Sequence, residues 1–380
     1  MKRRRSLQVQ IGGLRYGGDA PIVVEAMAKR AYDEIKEEIE ALAAEGAELV
    51  RIAVNTKGEA ERFLTLQEEC SVALMADVHF SWRLACWLVD GGAKAVRINP
   101  GNMALEGRGF ERFAALAAER KTVVRIGSNS GSCNVAGMGF RRRVRRLADV
   151  VLEAAEKLEE RGVTALILGA KSSDIEETIA ANRRIARSTA HPLHIGITAT
   201  GAGEEALCRS AIAVGTLLMR GIGDGVRVSL CEASVKEVRA VKAILSAVGA
   251  RRFGARVIAC PTCTRCRVDL AEKVAEVKAA LDEAGQKDIT VAVMGCVVNG
   301  PQEAADADFG VAFSGRSAVV FAKGVVVRRV PAKDGIETLL EVIRGAGRQH
   351  LLQLHPTGEG AKTVPRLPPS ERNRTRRRRG

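Results

Sequence analysis

Two cysteines separated by two residues stand in Cys260-Pro261-Thr262-Cys263, and a third follows in Gly295-Cys296-Val297-Val298-Asn299-Gly300-Pro301. Thiolates are soft ligands that select zinc, copper(I) or iron–sulfur clusters. A structural zinc site wants a second Cys-x2-Cys or a His pair, and this region has neither. A thioredoxin-type redox pair leaves Cys296 and its Gly/Pro-rich loop unexplained. Three thiolates suit a [4Fe–4S] cluster with one iron left to a weaker ligand. Glu303, seven residues past Cys296, is the nearest oxygen for that corner, and a substrate oxygen can take its place. Cys266 offers a rival arrangement. Cys260-x2-Cys263-x2-Cys266 has the triple spacing of bacterial ferredoxins, and with Cys296 it would close a four-sulfur cluster suited to an electron carrier or redox sensor. Spacing alone leaves both arrangements open.

A second set of residues points to anion binding. Arg51-Ile52-Ala53, Arg97-Ile98-Asn99, Arg125-Ile126-Gly127-Ser128-Asn129 and Arg227-Val228-Ser229 share one pattern. Side chains alternate along a strand, so Arg97 shares a face with Asn99, Arg125 with Gly127, and Arg227 with Ser229. Lys171 ends the sixth such apolar run and His79 the third, and His194 lies within the seventh. Five cations gathered inside a barrel need counter-charge. Asp77 and Asp224 are expected to supply some of it, and an anionic ligand the rest. The guanidinium fork matches phosphate oxygens two at a time.

These residues need elements to hold them. Apolar runs at 21–27, 48–54, 72–78, 95–99, 122–127, 165–171, 192–198 and 225–230 alternate with helical patterns such as Tyr32–Ala44, Ala148–Glu160 and Ser234–Val248. That alternation predicts an α/β fold, a (β/α)8 TIM barrel over 8–250 with its active site at the C-terminal mouth. The pattern restarts as a strand at 256–260, a helix near 268–284, a strand at 288–295, a β-rich stretch at 309–330 and a helix near 333–345. This predicts a smaller α/β cluster domain over 251–348, and 349–380 reads as a basic tail.

The formal charge of +14 is concentrated in places. Both chain ends are basic and read as solvated, and the run Arg141-Arg142-Arg143-Val144-Arg145-Arg146 is expected to precede a helix. With 3% aromatic residues and no reading module, specific nucleic-acid binding is not expected. No apolar run is long enough for a membrane span, and no signal peptide is evident, so the chain reads as cytoplasmic. Nine cysteines in such a chain suggest metal or redox work in a reducing compartment. Cys70, Cys86 and Cys208 are expected to be core residues.

Several motifs together resemble bacterial 4-hydroxy-3-methylbut-2-enyl diphosphate synthase, of the methylerythritol phosphate route to isoprenoids. They are Gly18-Asp19-Ala20-Pro21, Asp77-Val78-His79-Phe80, Arg97-Ile98-Asn99-Pro100-Gly101-Asn102, Arg125-Ile126-Gly127, Pro192-Leu193-His194, Gly221-Ile222-Gly223-Asp224 and the two cysteine loops. The resemblance implies a barrel that holds 2-C-methyl-D-erythritol 2,4-cyclodiphosphate and a cluster domain of sulfite-reductase-like type. It implies a homodimer supplied with single electrons by flavodoxin or ferredoxin. It also implies cluster ligation by Cys260, Cys263 and Cys296, with Glu303 on the fourth iron. The substrate is expected on Arg51, His79, Arg97, Asn99, Arg125, Asn129, Lys171, His194, Arg227 and Ser229.

The chain departs from the family pattern in places. Glu25-Ala26-Met27 stands for Gln-Ser-Met, and Thr198-Ala199-Thr200-Gly201 for Thr-Glu-Ala-Gly. Gly223-Asp224-Gly225 stands for Gly-Asp-Thr. A carboxylate expected at the mouth, a plausible proton donor, is therefore absent at Ala199. A paralogue acting on a related diphosphate is the alternative these changes favour.

Overall fold

Eight short parallel strands set the frame of the computed structural model, which describes residues 3–296, 304 and 306–348. The chain divides into two units between Phe253 and Gly254.

The first unit opens with a hairpin that sequence reasoning did not anticipate, β1 (Gln8–Ile11) and β2 (Leu14–Gly17), turning on Gly12-Gly13. The barrel strands follow as β3 (Val23–Met27), β4 (Leu49–Ala53), β5 (Ala73–Val78), β6 (Ala95–Ile98), β7 (Val123–Asn129), β8 (Leu166–Lys171), β9 (His194–Ile195) and β10 (Gly225–Val226). Each pairs in parallel with its neighbour, β10 returns to β3, and a bridge from Leu168 to Leu193 brings β8 against the start of β9. The expected (β/α)8 barrel is the fold observed.

Eight helices follow these strands: α1 (Ile35–Glu45), α2 (Lys57–Glu69), α3 (Trp82–Asp90), α4 (Gly107–Arg120), α5 (Phe140–Glu159), α6 (Ile175–Ser188), α7 (Gly203–Met219) and α8 (Ser234–Ala247). Their starts are fixed locally. Thr56 and Glu59 form a reciprocal capping box on α2, and Asp174 accepts from the Glu177 N–H on α6. Such caps contribute about 1 kcal/mol each.

Three features differ from the sequence expectation. The arginine run lies inside the first turns of α5 rather than before it, because Gly139 takes the extended cap position and Arg is a good helix former. Cys208 is exposed on α7, whose inward face is Ala206, Ser210, Ala213, Val214 and Leu217. The chain start is not free in solvent. Arg3 donates to Asp224 Oδ1 (2.7 Å), and Arg4 donates to the Thr189 carbonyl (2.6 Å).

The barrel interior is stratified by the period of two. The first inward positions, Val23, Leu49, Met75, Ala95, Val123 and Ile167, make an apolar floor that Val9, Ile11 and Tyr16 of the hairpin seal from below. Two residues further along five of these strands the inward positions turn ionic, Glu25, Arg51, Asp77, Arg97 and Arg125 all being buried, while β8 has Gly169 at that level.

Among the described residues the second unit has a five-stranded sheet and two α-helices: β11 (Arg256–Ala259), α9 (Leu270–Glu283), β12 (Thr290–Met294), β13 (Phe309–Ser314), β14 (Ser317–Ala322), β15 (Val325–Pro331) and α10 (Gly335–Arg348). Strands β11, β12 and β13 are parallel, and β13, β14 and β15 are antiparallel. Its main core joins Leu270, Val277 and Leu281 of α9 and Leu339 and Ile343 of α10 to Val291, Val293, Val311 and Val320 of the sheet. Residues 349–380, the expected tail, lie outside the described residues.

Candidate functional site: a cationic cavity and a cysteine loop

The ionic layer surrounds a cavity of about 210 Å³ at the C-terminal end of the barrel strands. Of the ten residues expected to hold an anion, Arg51, His79, Arg97, Arg125, Asn129, Lys171, His194, Arg227 and Ser229 line it. Asn99 does not. Its amide donates to Ser132 Oγ (3.1 Å) and its carbonyl oxygen accepts from the Gly101 N–H (3.1 Å), which holds the loop after β6.

The counter-charges differ from the expected pair. Asp77 lies in the layer, bonded to Arg51 and to Arg97 Nη1 (3.0 Å), with His79 Nε2 at 3.2 Å. Asp224 does not. It precedes β10, below the floor, and accepts from Ser6 Oγ (2.8 Å) and the Leu193 N–H (2.7 Å) as well as from Arg3. Its place as interior acid is taken by two residues that sequence reasoning missed in this role. Glu25 of β3 is fully buried and bonded to Arg125, with Arg51 Nε at 3.5 Å. Glu237 of α8, also fully buried, meets Arg227 Nη2 (3.2 Å) and Lys29 Nζ (2.8 Å). Glu25 was legible in the alternation that places Val23 and Glu25 on one face; Glu237 gave no such signal.

Five lining cations thus face three carboxylates, so the layer keeps surplus positive charge. Burial pushes the Asp77 carboxyl up, but Arg51 and Arg97 outweigh it and hold Asp77 well below the usual range. Glu25 is held low in the same way, burial losing to Arg125 and Arg51. Arg51 is lowered by burial to about 9 and stays cationic at neutral pH. Lys171 has no acid within ion-pair distance among the described residues. Burial first, then Arg227 and Arg51, push its ammonium well below the ordinary value. Gly196 gives the Lys171 side chain its room, because a Cβ there would stand 2.9 Å from Nζ and 2.4 Å from the Arg227 carbonyl. Among the described residues the cationic groups lining the cavity outnumber the carboxylates that meet them, and forked guanidinium donors of this kind match phosphate-type oxygens.

Two positions where the chain departs from the resemblance lie together around one histidine. His194 is buried, its Nδ1 3.1 Å from Glu25 Oε2 and 3.4 Å from Tyr16 Oη. Gly225 makes room for that tyrosine, since a Cβ on it would fall 1.9 Å from Tyr16 Oη. Ala199, the third departure, takes a left-handed backbone (φ +53) in the loop after β9.

In the second unit, Cys260 follows β11 and Cys296 lies two residues past β12. Those strands are in parallel register from Arg256–Thr290 to Ala259–Val293, so both cysteines leave the same end of the sheet. The Gly295 N–H donates to Cys260 Sγ (3.3 Å). The exposed Arg265 guanidinium lies beside Cys263 and Cys296, which raise it above its ordinary value. Cys266 turns its thiol onto the Val268 carbonyl (3.3 Å) and packs so close to Gly295 that a Cβ there would meet its sulfur at 2.6 Å. Among the described residues no three Cys, His, Asp or Glu side chains stand close enough together to hold a metal ion. Glu303 lies outside the described residues. The donor chemistry, soft thiols leaving adjacent strand ends, fits an iron–sulfur cluster better than a hard cation.

Among the described residues no helix is long and apolar enough to cross a membrane.

Comparison with known proteins agrees with the motif resemblance. Two sequence-family profiles match the chain, the GcpE TIM-barrel domain over residues 6–242 and the GcpE protein C-terminal domain over residues 256–345. The chain is 38% identical over 349 residues to the 4-hydroxy-3-methylbut-2-en-1-yl diphosphate synthase (flavodoxin) of Persephonella marina, covering 90% of this chain and 98% of that one. The protein of the same name from Thermodesulfovibrio yellowstonii is 37% identical over 351 residues, 90% of this chain and 99% of that one. That of Geobacter sulfurreducens is 38% identical over 348 residues, 89% and 97% respectively.

Proposed function

The chain belongs to the GcpE family, and from that premise we propose that it is an iron–sulfur oxidoreductase forming 4-hydroxy-3-methylbut-2-enyl diphosphate from 2-C-methyl-D-erythritol 2,4-cyclodiphosphate. The observation that carries this reading is the barrel cavity, in which five cations face three carboxylates. A cyclic diphosphate dianion supplies the missing negative charge and matches the fork geometry of Arg51, Arg97, Arg125 and Arg227. Asn129 and Ser229 add neutral hydrogen-bonding groups at the rim, and Asn99 shapes the neighbouring loop.

Cys260, Cys263 and Cys296 would hold the [4Fe–4S] cluster, with Glu303 as its candidate non-sulfur ligand. Such a cluster, when bound, would supply one-electron redox chemistry. Flavodoxin, which stands in the names of the similar proteins, is the proposed donor, with ferredoxin as the alternative carrier. A homodimer and a cytoplasmic location complete the proposal. Cys266, engaged with Val268 and packed beneath Gly295, is assigned a structural role, which favours the enzyme over a four-sulfur electron carrier.

The protein's own residues bind and orient. The arginines fix the diphosphate, Glu25 and Asp77 fix the arginines, and the apolar floor sealed by Tyr16 keeps bulk water from below. The test is anaerobic reconstitution with iron and sulfide, then incubation with the cyclic diphosphate and reduced flavodoxin, with mass spectrometry of the product. A full cluster without product would transfer the assignment to a related diphosphate.

A further inference from the structure

Reductive opening of the cyclic diphosphate requires a proton as well as electrons. The substrate dianion takes up two electrons from a low-potential one-electron carrier and one proton. It releases a water and becomes the open-chain diphosphate trianion. The ring C–O(phosphate) bond breaks with the oxygen staying on phosphorus, a neighbouring hydroxyl leaves as water, and a carbon–carbon double bond forms between the two carbons. A hydroxide is a poor leaving group, so a positioned acid beside that hydroxyl lowers the barrier. The mouth loop at Thr198-Ala199-Thr200 carries no carboxylate.

His194 stands at the cavity wall with the geometry of such a group. Its side chain is 4% exposed, yet it lines the cavity. One ring nitrogen, Nδ1, faces Glu25 Oε2 at 3.1 Å; the other, Nε2, is buried and has no hydrogen-bond partner among the described residues. A carboxylate at Nδ1 assigns the proton there and leaves Nε2 as the nitrogen free to exchange a proton with a ligand. Glu25 is itself immobilised by Arg125 and Arg51, and Tyr16 closes the other side of Nδ1 at 3.4 Å, so the ring has one orientation. The other cavity histidine is differently placed: His79 has its Nε2 already between Asp77 Oδ2 and Arg97 Nη1, 3.2 Å from each.

Resting on the reading above, we propose that His194, oriented by Glu25, delivers the proton with which the substrate hydroxyl departs as water. The charged and titratable groups facing it are Tyr16 on β2, Glu25 on β3, Arg51 on β4, Arg125 on β7, Lys171 on β8 and Arg227 after β10. In the free protein burial, then Arg125, Lys171 and Arg51, hold its proton affinity far down, so the ring is neutral. A bound diphosphate offsets those same cations. Substrate binding therefore charges Nε2, and the resulting imidazolium is held between the Glu25 carboxylate and the leaving hydroxyl. After transfer the ring returns to neutral and reloads from solvent when the next anion binds. Acid and anion arrive in the cavity together.

Two measurements test this. In protein labelled with ¹⁵N-histidine, the His194 titration is followed by NMR with and without inorganic pyrophosphate, which needs neither cluster nor turnover. The expected result is an Nδ1–H tautomer in the free protein and a midpoint that rises by about 1 pH unit or more with pyrophosphate, the size an added nearby charge produces. An unmoved midpoint, or an Nε2–H tautomer, overturns the proposal. In the reconstituted enzyme, His194→Gln is expected to lower kcat by about 100-fold or more, to leave KM within a few-fold, and to remove the alkaline limb of the kcat–pH profile. Glu25→Gln, which keeps the shape but not the charge, is expected to move that limb to lower pH. An unaltered profile in both variants assigns the proton to another group lining the cavity, such as Lys171, and refutes the role of His194. If the wild-type holoenzyme gives no product, the reductive reading fails, and the pyrophosphate titration still decides whether anion binding charges His194.

Discussion

Replacing Asp77 by Asn keeps the shape of the ionic layer and removes its most connected charge. The carboxylate touches Arg51, Arg97 and His79 at once and is fully buried. Removing one member of such a set leaves buried guanidinium charge uncompensated, which costs about 3–5 kcal/mol. For a unit of this size that is a loss of roughly 6–20 °C in Tm, at 2–4 °C per kcal/mol. Pyrophosphate works in the opposite direction. At a hundred times its Kd a ligand returns about 2.7 kcal/mol, and the variant, with one more net positive charge in the cavity, binds the anion more tightly. Every tenfold gain in affinity adds about 1.4 kcal/mol. Thermal unfolding of Asp77→Asn and wild type across one pyrophosphate series is the assay. The variant is expected to start lower and gain more. Equal Tm values without anion, or equal gains with it, would refute the account of a cavity short of negative charge.

Three further outcomes are expected. Urea midpoints should fall in two stages as pH drops. His194 is neutral in the fold with a folded value well below its unfolded one of about 6.5. Below that pH the unfolded chain therefore takes up a proton first and stability declines. Asp77 and Glu25 have folded values below their unfolded ones of about 3.9 and 4.3; the stability they add is present above those values and is lost as pH falls through the folded ones. A midpoint flat from neutral pH to pH 4, or an unchanged first stage in His194→Gln, would contradict this. Gly225→Ala should cost about 1–3 kcal/mol or more by overpacking against Tyr16, and much less in a Tyr16→Ala background; additive effects in urea unfolding would show that the two residues do not compete for space. Cys260→Ala, Cys263→Ala and Cys296→Ala should each lose iron and visible absorbance on reconstitution while Cys266→Ala retains them, and loss of iron in Cys266→Ala would revive the four-sulfur arrangement.

Much of the barrel is written in the period of two along its strands. Arg97 and Arg125 follow Ala95 and Val123 by two residues, so the same alternation that makes an apolar floor places the cations above it. The position of a counter-charge is not written this way. Asp224 looked like an interior acid because it adjoins β10, yet it precedes the strand and is captured from below by Arg3 and Ser6. Glu237 reaches Arg227 from a helix, through a tertiary contact with no local signature. Glu25 was visible as an unusual residue, and only the neighbours that folding brings to it, His194 and Arg125, give it a role. The N-terminal hairpin escaped notice because its strands are four residues each and it directly follows the basic run Lys2-Arg3-Arg4-Arg5. The cysteine motifs were plain from type and spacing, while the choice between Cys266 and an oxygen ligand depends on where one thiol points.

The most direct measurement is a ³¹P NMR spectrum of the anaerobically reconstituted chain mixed with the cyclic diphosphate and a chemical reductant. The ring phosphorus signals are expected to give way to the pair of a terminal diphosphate. Persistence of the ring signals beside a fully loaded, reduced cluster would contradict the proposed reaction.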